Sequence, residues 1–274
     1  MISINTNIGA MAAIQNLAST KRDLQATQNA IATGKSVASA KDNGAIWTIA
    51  NKMTSDVMAY SRVRESNDRA GAILDTAIAA GESIMELLNE MKGKALAASQ
   101  PGLSVGSQAA LNADFIQLRD QITNVIANAS FDGANLVGAS PASAVSLGDA
   151  SGGNNITVAG ANLSLGGATV TVTATSAVDT ATNATATLGL VNASITNLGT
   201  QLATWGAGAK RFDVHRTFVS KLSDALNTGI GAITDADLSK ESAKLQSLQV
   251  KQQLGIQALS IANSSAQSAL SLFR

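Results

Sequence analysis

Cysteine is absent from these 274 residues. That excludes disulfides and thiolate metal sites, and it leaves the redox compartment open. Aromatic residues make up only 3% of the chain, and there are 2 prolines. Large rings dominate the core energetics of compact globules, so a core filled with aromatics is excluded. Neither sign of charge is in excess: 19 basic and 19 acidic residues give a formal net charge of 0. A nucleic-acid interface needs a clustered basic surface, so no nucleic-acid partner is expected. No apolar run approaches the length of a membrane span, and no membrane insertion is expected. The opening "MISINTNIGA" lacks a basic n-region and an apolar h-region. A secretory signal peptide is therefore not expected, and the chain reads as cytosolic or as exported without a cleaved signal.

What is present is Ala, Leu, Gln and Asn in helical patterns. Near the start, Asn7, Ala10, Ile14, Leu17, Lys21, Leu24, Gln28 and Ile31 recur at alternating steps of three and four. That spacing predicts a helix with a thin apolar seam, stopped by Gly34. The closing stretch shows the same seam through Leu259, Ala262, Ala266, Ala269 and Phe273. Neither seam is wide enough to hold a helix alone in water, so the two terminal helices are expected to pair. Between them the pattern predicts three longer helices. The first runs from Met53 through Asn67, Leu74, Met85, Leu88 and Lys92 to Ala95. At about 45 residues it would reach about 65 Å. "SQPGLS" breaks it, and a second helix follows through Leu111, Phe115, Leu118, Ile122 and Val125. The third carries Val191, Leu198, Trp205, Phe212, Val219, Leu226 and Ile233, and "TDAD" opens the last helix.

From Phe131 to about Thr187 the character changes. "FDGANL" offers an Asp-Gly turn. "NNITV", "NLSL" and "ATVTVTAT" alternate apolar residues with Thr and Ser, which is strand patterning. No Lys or Arg occurs from Asp120 to Ala209. The expected fold is therefore mainly α: a long coiled-coil helical bundle with paired N- and C-terminal helices and a small β-hairpin insertion.

Catalytic signals are weak. "GLSVG" (Gly102 to Gly106) fits G-x-S-x-G, but that motif needs a preceding strand and a His partner. Here it lies between helices, and the single His, His215, is on a helix. A lone His without Cys or a paired His has no metal-site partners. No catalytic residue, cofactor or metal is expected. Trp47 and Trp205 read as packing anchors. The sequons at Asn155 and Asn183 arise readily in an Asn- and Thr-rich segment and imply no glycosylation by themselves.

Several separate motifs converge: "INTN" near the start, "SAKDN" at Ser39 to Asn43, "FDGANL", "KRF" at Lys210 to Phe212, "ITDADLSKE", and the closing "LGIQALSIANSSAQSALSLFR". In this order the chain resembles bacterial flagellin, of the short alphaproteobacterial type. The resemblance implies a subunit that self-assembles into the flagellar filament, outside the cell, for motility. It implies an inner-tube coiled coil from residues 1–40 and 237–274, with Ile14, Leu17, Leu24, Ile31, Leu259, Ala262, Ala266 and Phe273 as assembly seam. It implies an outer-tube helical domain from 41–137 and 188–236, and a solvent-exposed variable β insertion at 138–187. Lys41, Asp42 and Asn43 fall on the family's connector between the tubes. Implied partners are copies of the chain itself, the flagellar type III export apparatus, a flagellin chaperone, and the hook-associated junction and cap proteins. Flagellins recognised by the animal flagellin receptor carry an R-x-R-E-L run on the first long helix. The corresponding stretch here is Lys92-Gly93-Lys94-Ala95-Leu96, so the resemblance implies a degenerate receptor patch at Lys92, Lys94 and Ala95. A hook–filament junction protein shares the end motifs and is the near alternative. A non-polymerising coiled-coil adaptor is the alternative of another class.

Overall fold

A computed structural model of the chain describes residues 7–271, with side chains described through Ser264. Its elements in order are helices α1 (Ile8–Thr33), α2 (Gly44–Ala98) and α3 (Val105–Asn128), strands β1 (Ser143–Ser146) and β2 (Ile156–Ala159), and helices α4 (Ala181–Thr234) and α5 (Leu238–Ser271). Local signals set most of the ends. Asn7 caps α1 by accepting a hydrogen bond from the Ala10 N–H, and Gly34 ends it in the left-handed conformation, where a Cβ would be penalised. Asn43 caps α2 through the Ala45 and Ile46 amides. Helix α2 thus begins at Gly44, nine residues before Met53, where the pattern predicted its start. Ser104 caps α3, so "GLSVG" is a helix break whose serine is occupied by the backbone. Asp237 caps α5 through the Ser239 and Lys240 amides.

The chain divides into two compact units. One holds the residues up to Ser55 and those from Ala225 onward; the other is Asp56–Asp224. In the second unit α2, α3 and α4 share one core. Leu74, Ile84, Leu88, Phe115, Ile122, Val191, Leu198 and Trp205 are fully buried there. Lys92, expected on the α2 seam, points outward, and Met91 holds an inward place. Asn67 is polar and buried, and its amide donates to the Phe212 carbonyl at 2.7 Å.

The segment expected to face solvent is part of this core. Leu136, Val137, Ala144, Val158, Leu163, Val170, Val172 and Val178 belong to the same buried cluster as the helices. Only two short stretches form strands, paired antiparallel from Ser143 opposite Ala159 to Ser146 opposite Ile156. "NLSL" and "ATVTVTAT" are not strands. Their backbone groups bond elsewhere: the Leu163 N–H to the Val137 carbonyl, the Gly166 N–H to the Val172 carbonyl, and the Thr171 N–H to Ser194 Oγ. The hairpin sits directly on α4, where Val158 fills the space that a side chain at Gly208 would need. The Trp205 ring N–H donates to the Ala159 carbonyl at 3.0 Å. The Asp-Gly turn forms as expected. Phe131 and Ala134 exchange two backbone hydrogen bonds around Asp132 and Gly133, both with positive φ.

Candidate assembly surface

In the first unit α1 and α5 lie antiparallel. Asn7 donates to the Ala262 carbonyl at one end of the pair, and the Ala236 N–H donates to the Gly34 carbonyl at the other. The inward face of α5 is Glu241, Leu245, Leu248, Gln252, Gly255, Leu259 and Ala262. These steps of four and three make a coiled-coil seam. Leu259 and Ala262 are half-buried on it. Ala266 lies in α5 but its side chain is outside the described residues, as is Phe273 altogether.

The inward face of α1 differs in phase from the expected one. Leu17, Leu24 and Ile31 do face α5, but Ile14 is 53% exposed, and Lys21 and Gln28 are exposed too. Ala13, Thr20 and Thr27 take those places. The reason is close approach. Gly255 leaves room for Leu17, whose Cδ1 lies 3.3 Å from where a Cβ on that glycine would be. Small residues at 13, 20 and 27 let the helices come together at this spacing. Thr27 is only 1% exposed, and its hydroxyl has no hydrogen-bond partner. A threonine among polar neighbours carries no periodic signal, so sequence reasoning had no means of finding it.

The pair closes a narrow strip and leaves apolar residues outside it. Ile8, Met11 and Ile14 on α1 are each more than half exposed, and so are Val250, Leu254, Ile256 and Ile261 on α5. Val250, Leu254 and Ile261 follow one face of the helix.

The connector after α1 is tied to the α4–α5 turn. The Ser36 N–H donates to the Thr234 carbonyl at 2.7 Å, and the backbones of Lys35 and Asp235 pair in an isolated antiparallel β-bridge. Asp42 folds the chain back. The Ser39 amide and hydroxyl and the Ala38 amide donate to its carboxylate, and those bonds hold its pKa below the usual carboxylate value. Asn43 is the α2 cap, and Lys41 is exposed. Two of the three connector residues therefore have structural work within the chain.

The stretch read as a receptor patch is split. Lys92 is exposed, Lys94 is ion-paired with Asp114, and Ala95 is completely buried among the core residues of the second unit. Ala95 is a packing position, not a surface one. His215 is half-buried on α4, with its ring 6.3 Å from that of Phe218. Trp205 is an anchor in the core, whereas Trp47 is exposed. Among the described residues no group of three or more His, Asp or Glu side chains could hold a metal ion. No described helix is long and apolar enough to cross a membrane.

Among the described residues the chain is one of long helices with thin seams and exposed apolar stripes, the make-up of a helical structural protein. Comparison with known proteins agrees. A family model of the bacterial flagellin N-terminal helical region matches residues 4–142. A model of the bacterial flagellin C-terminal helical region matches residues 188–273. The chain is 48% identical to flagellin FljN of Caulobacter vibrioides over 272 residues, covering 99% of this chain and 98% of that one. It is 37% identical to a flagellin of Brucella melitensis over the whole of both chains. The crystal structure of Bacillus cereus flagellin aligns with a TM-score of 0.50 at 20% identity, covering 56% of this chain and 88% of that one; this likeness concerns the fold alone. The chain belongs to the bacterial flagellin family.

Proposed function

We infer that this chain is a structural subunit of the extracellular flagellar filament, and that its terminal helix pair makes the contacts between copies. Family membership supports the filament. The observation that carries the second half is the apolar surface left on both terminal helices, Ile8, Met11 and Ile14 on one and Val250, Leu254 and Ile261 on the other. Contiguous exposed apolar surface marks a contact site, and neighbouring copies are the partners that a polymer supplies. Lys41, exposed like Asp42 and Asn43, leaves the connector open to such neighbours. Export in an unfolded state, with a chaperone on the last helix, and docking to junction and cap proteins at the filament ends complete the proposal.

The test is seeded growth. Purified subunits added to short filament fragments should elongate them, as followed by light scattering and negative-stain imaging. Leu254→Asp or Ile261→Asp should leave the melting of the free subunit unchanged and stop elongation. Subunits that stay discrete at high concentration in the presence of seeds would refute the filament reading. Normal growth of both aspartate variants would refute the contact surface.

A further inference from the structure

Two surface features of the second unit have no part in the contacts described so far. One is on α4. Val214 and Phe218 lie one turn apart and are 58% and 57% exposed. They border a shallow apolar depression with Ile156 of β2, and Lys210 and Arg211 rim it. Neither cation enters any ion pair among the described residues.

The other is at the α2–α3 break. Leu103 and Val105 line a groove of about 490 Å³ beside Asp179. Val105 is 88% exposed. The groove has a fixed floor, because the Gln108 amide donates to the carbonyls of Ala98 and Val178, and Asn112 accepts from the Val178 N–H. Asp179 accepts a hydrogen bond from Asn183 but has no ion pair among the described residues. The chain carries no cation of its own from Asp120 to Ala209.

The features are complementary. One is a shallow apolar face with two cations outside any ion pair among the described residues; the other is an apolar groove with a carboxylate likewise outside one, so the match is in charge and in exposed apolar surface. They cannot meet within one molecule. Asp179 stands just before the start of α4, while Lys210 to Phe218 lie 29 to 37 residues beyond its first residue, Ala181, about 45–55 Å at 1.5 Å per residue. Two copies can bring them together. We propose that the Val214–Phe218 face of one copy docks into the Leu103–Val105 groove of the next, with Lys210 and Arg211 facing Asp179. The proposal rests on the filament reading. Two different patches make a head-to-tail contact, and such a contact propagates into an open strand where the rotation does not close a ring. The charges set orientation and register more than they add affinity.

The absence of cysteine makes the test clean. A Val105→Cys, Phe218→Cys double variant is grown onto unmodified seeds and oxidised. Covalent ladders of three or more subunits are expected on a non-reducing gel, and neither single variant should give them. A charge swap is the second arm. Lys210→Glu with Arg211→Glu should slow elongation about tenfold or more, and adding Asp179→Lys should recover most of it, because like charges repel across a contact and opposite ones steer it. Filaments that grow normally with free thiols overturn the contact. Failure of Asp179→Lys to rescue a folded subunit also overturns it. If the unmodified chain itself grows no filament, the filament reading falls and this contact falls with it.

Discussion

Gly206 and Gly208 sit two residues apart on α4, yet their surroundings are opposite. A Cβ at Gly206 would meet nothing within 4 Å. Gly206→Ala should therefore stabilise the subunit by up to about 1 kcal/mol through helix propensity. A Cβ at Gly208 would lie 2.7 and 2.9 Å from the two methyls of Val158. That valine is buried and held in a strand pair, and a β-branched side chain has little freedom to turn aside. Overpacking of this kind costs about 1–3 kcal/mol, more than propensity returns. Urea midpoints of the two variants should move in opposite directions. Asp149 supplies a pH-dependent case. The hydroxyl of Ser151, the Asn154 amide and the Gly153 N–H donate to its carboxylate, lowering its pKa from 3.8 to about 2. Those bonds hold Gly152 and Asn154 in left-handed backbone. The unfolded chain takes up this proton more readily, so the stabilisation is present above pH 3.8 and is lost as the pH falls through about 2. A carboxyl NMR titration should place the midpoint near 2. Amide exchange at Gly153 should lose its protection across the same range in the parent and be unprotected throughout in Asp149→Ala, which has no side-chain acceptor.

Among the elements, the segment between α3 and α4 departs most from its sequence pattern. Its alternation of Val with Thr does correspond to burial: Val170 and Val172 are inside, and Thr171 is only half-buried. Period two says which side chains go in. It does not say that a second strand is available, and here the partners are Ser194 and nearby loop carbonyls. Deleting residues 157–182 would remove Val158, Leu163, Val170, Val172 and Val178, all buried. Burying each is worth roughly 1.5–3 kcal/mol. The sum is comparable to the whole stability of an ordinary domain, about 5–15 kcal/mol. The shortened chain should lose its cooperative melt and the near-ultraviolet circular dichroism of Trp205. A sharp transition at the parent temperature would show that the helices alone suffice.

At the scale of the molecule, the two units differ in how much they bury. The buried residues of α1 are Ala10 and Thr27, and Leu248 is the buried apolar residue of the described α5 side chains. The second unit buries Trp205, Phe115 and a continuous aliphatic core. Local stability follows buried contact. In the free subunit the amides of α1 and α5 should exchange much faster than those of α3 and of the 190–212 stretch of α4, and should become protected in the filament. Equal protection before assembly would contradict this ordering. Removing residues 259–274 should abolish elongation yet leave the main melting transition in place, because the residues that form the large core lie elsewhere.

Much of this was legible locally. Gly34, Ser104, Asp237 and the Asp132–Gly133 turn act on their own neighbours in the chain, so their positions in the sequence determine their structural effect. The long α4 seam through Val191, Leu198, Trp205, Phe212 and Val219 was equally plain, because one apolar face repeats over many turns and no rotation of the helix buries it better. The α1 seam was not plain. Its apolar and small residues lie on more than one face, so Ile14 and Ala13 were both admissible inside. Only the approach of Gly255 to Leu17 decided between them. Tertiary structure likewise decided that Ala95 is covered, that Asn67 is matched by the Phe212 carbonyl, and that the Thr- and Val-rich segment closes a core. Each of these depends on a partner far away in the chain, and a periodic pattern records which face of an element is apolar without recording what that face will meet.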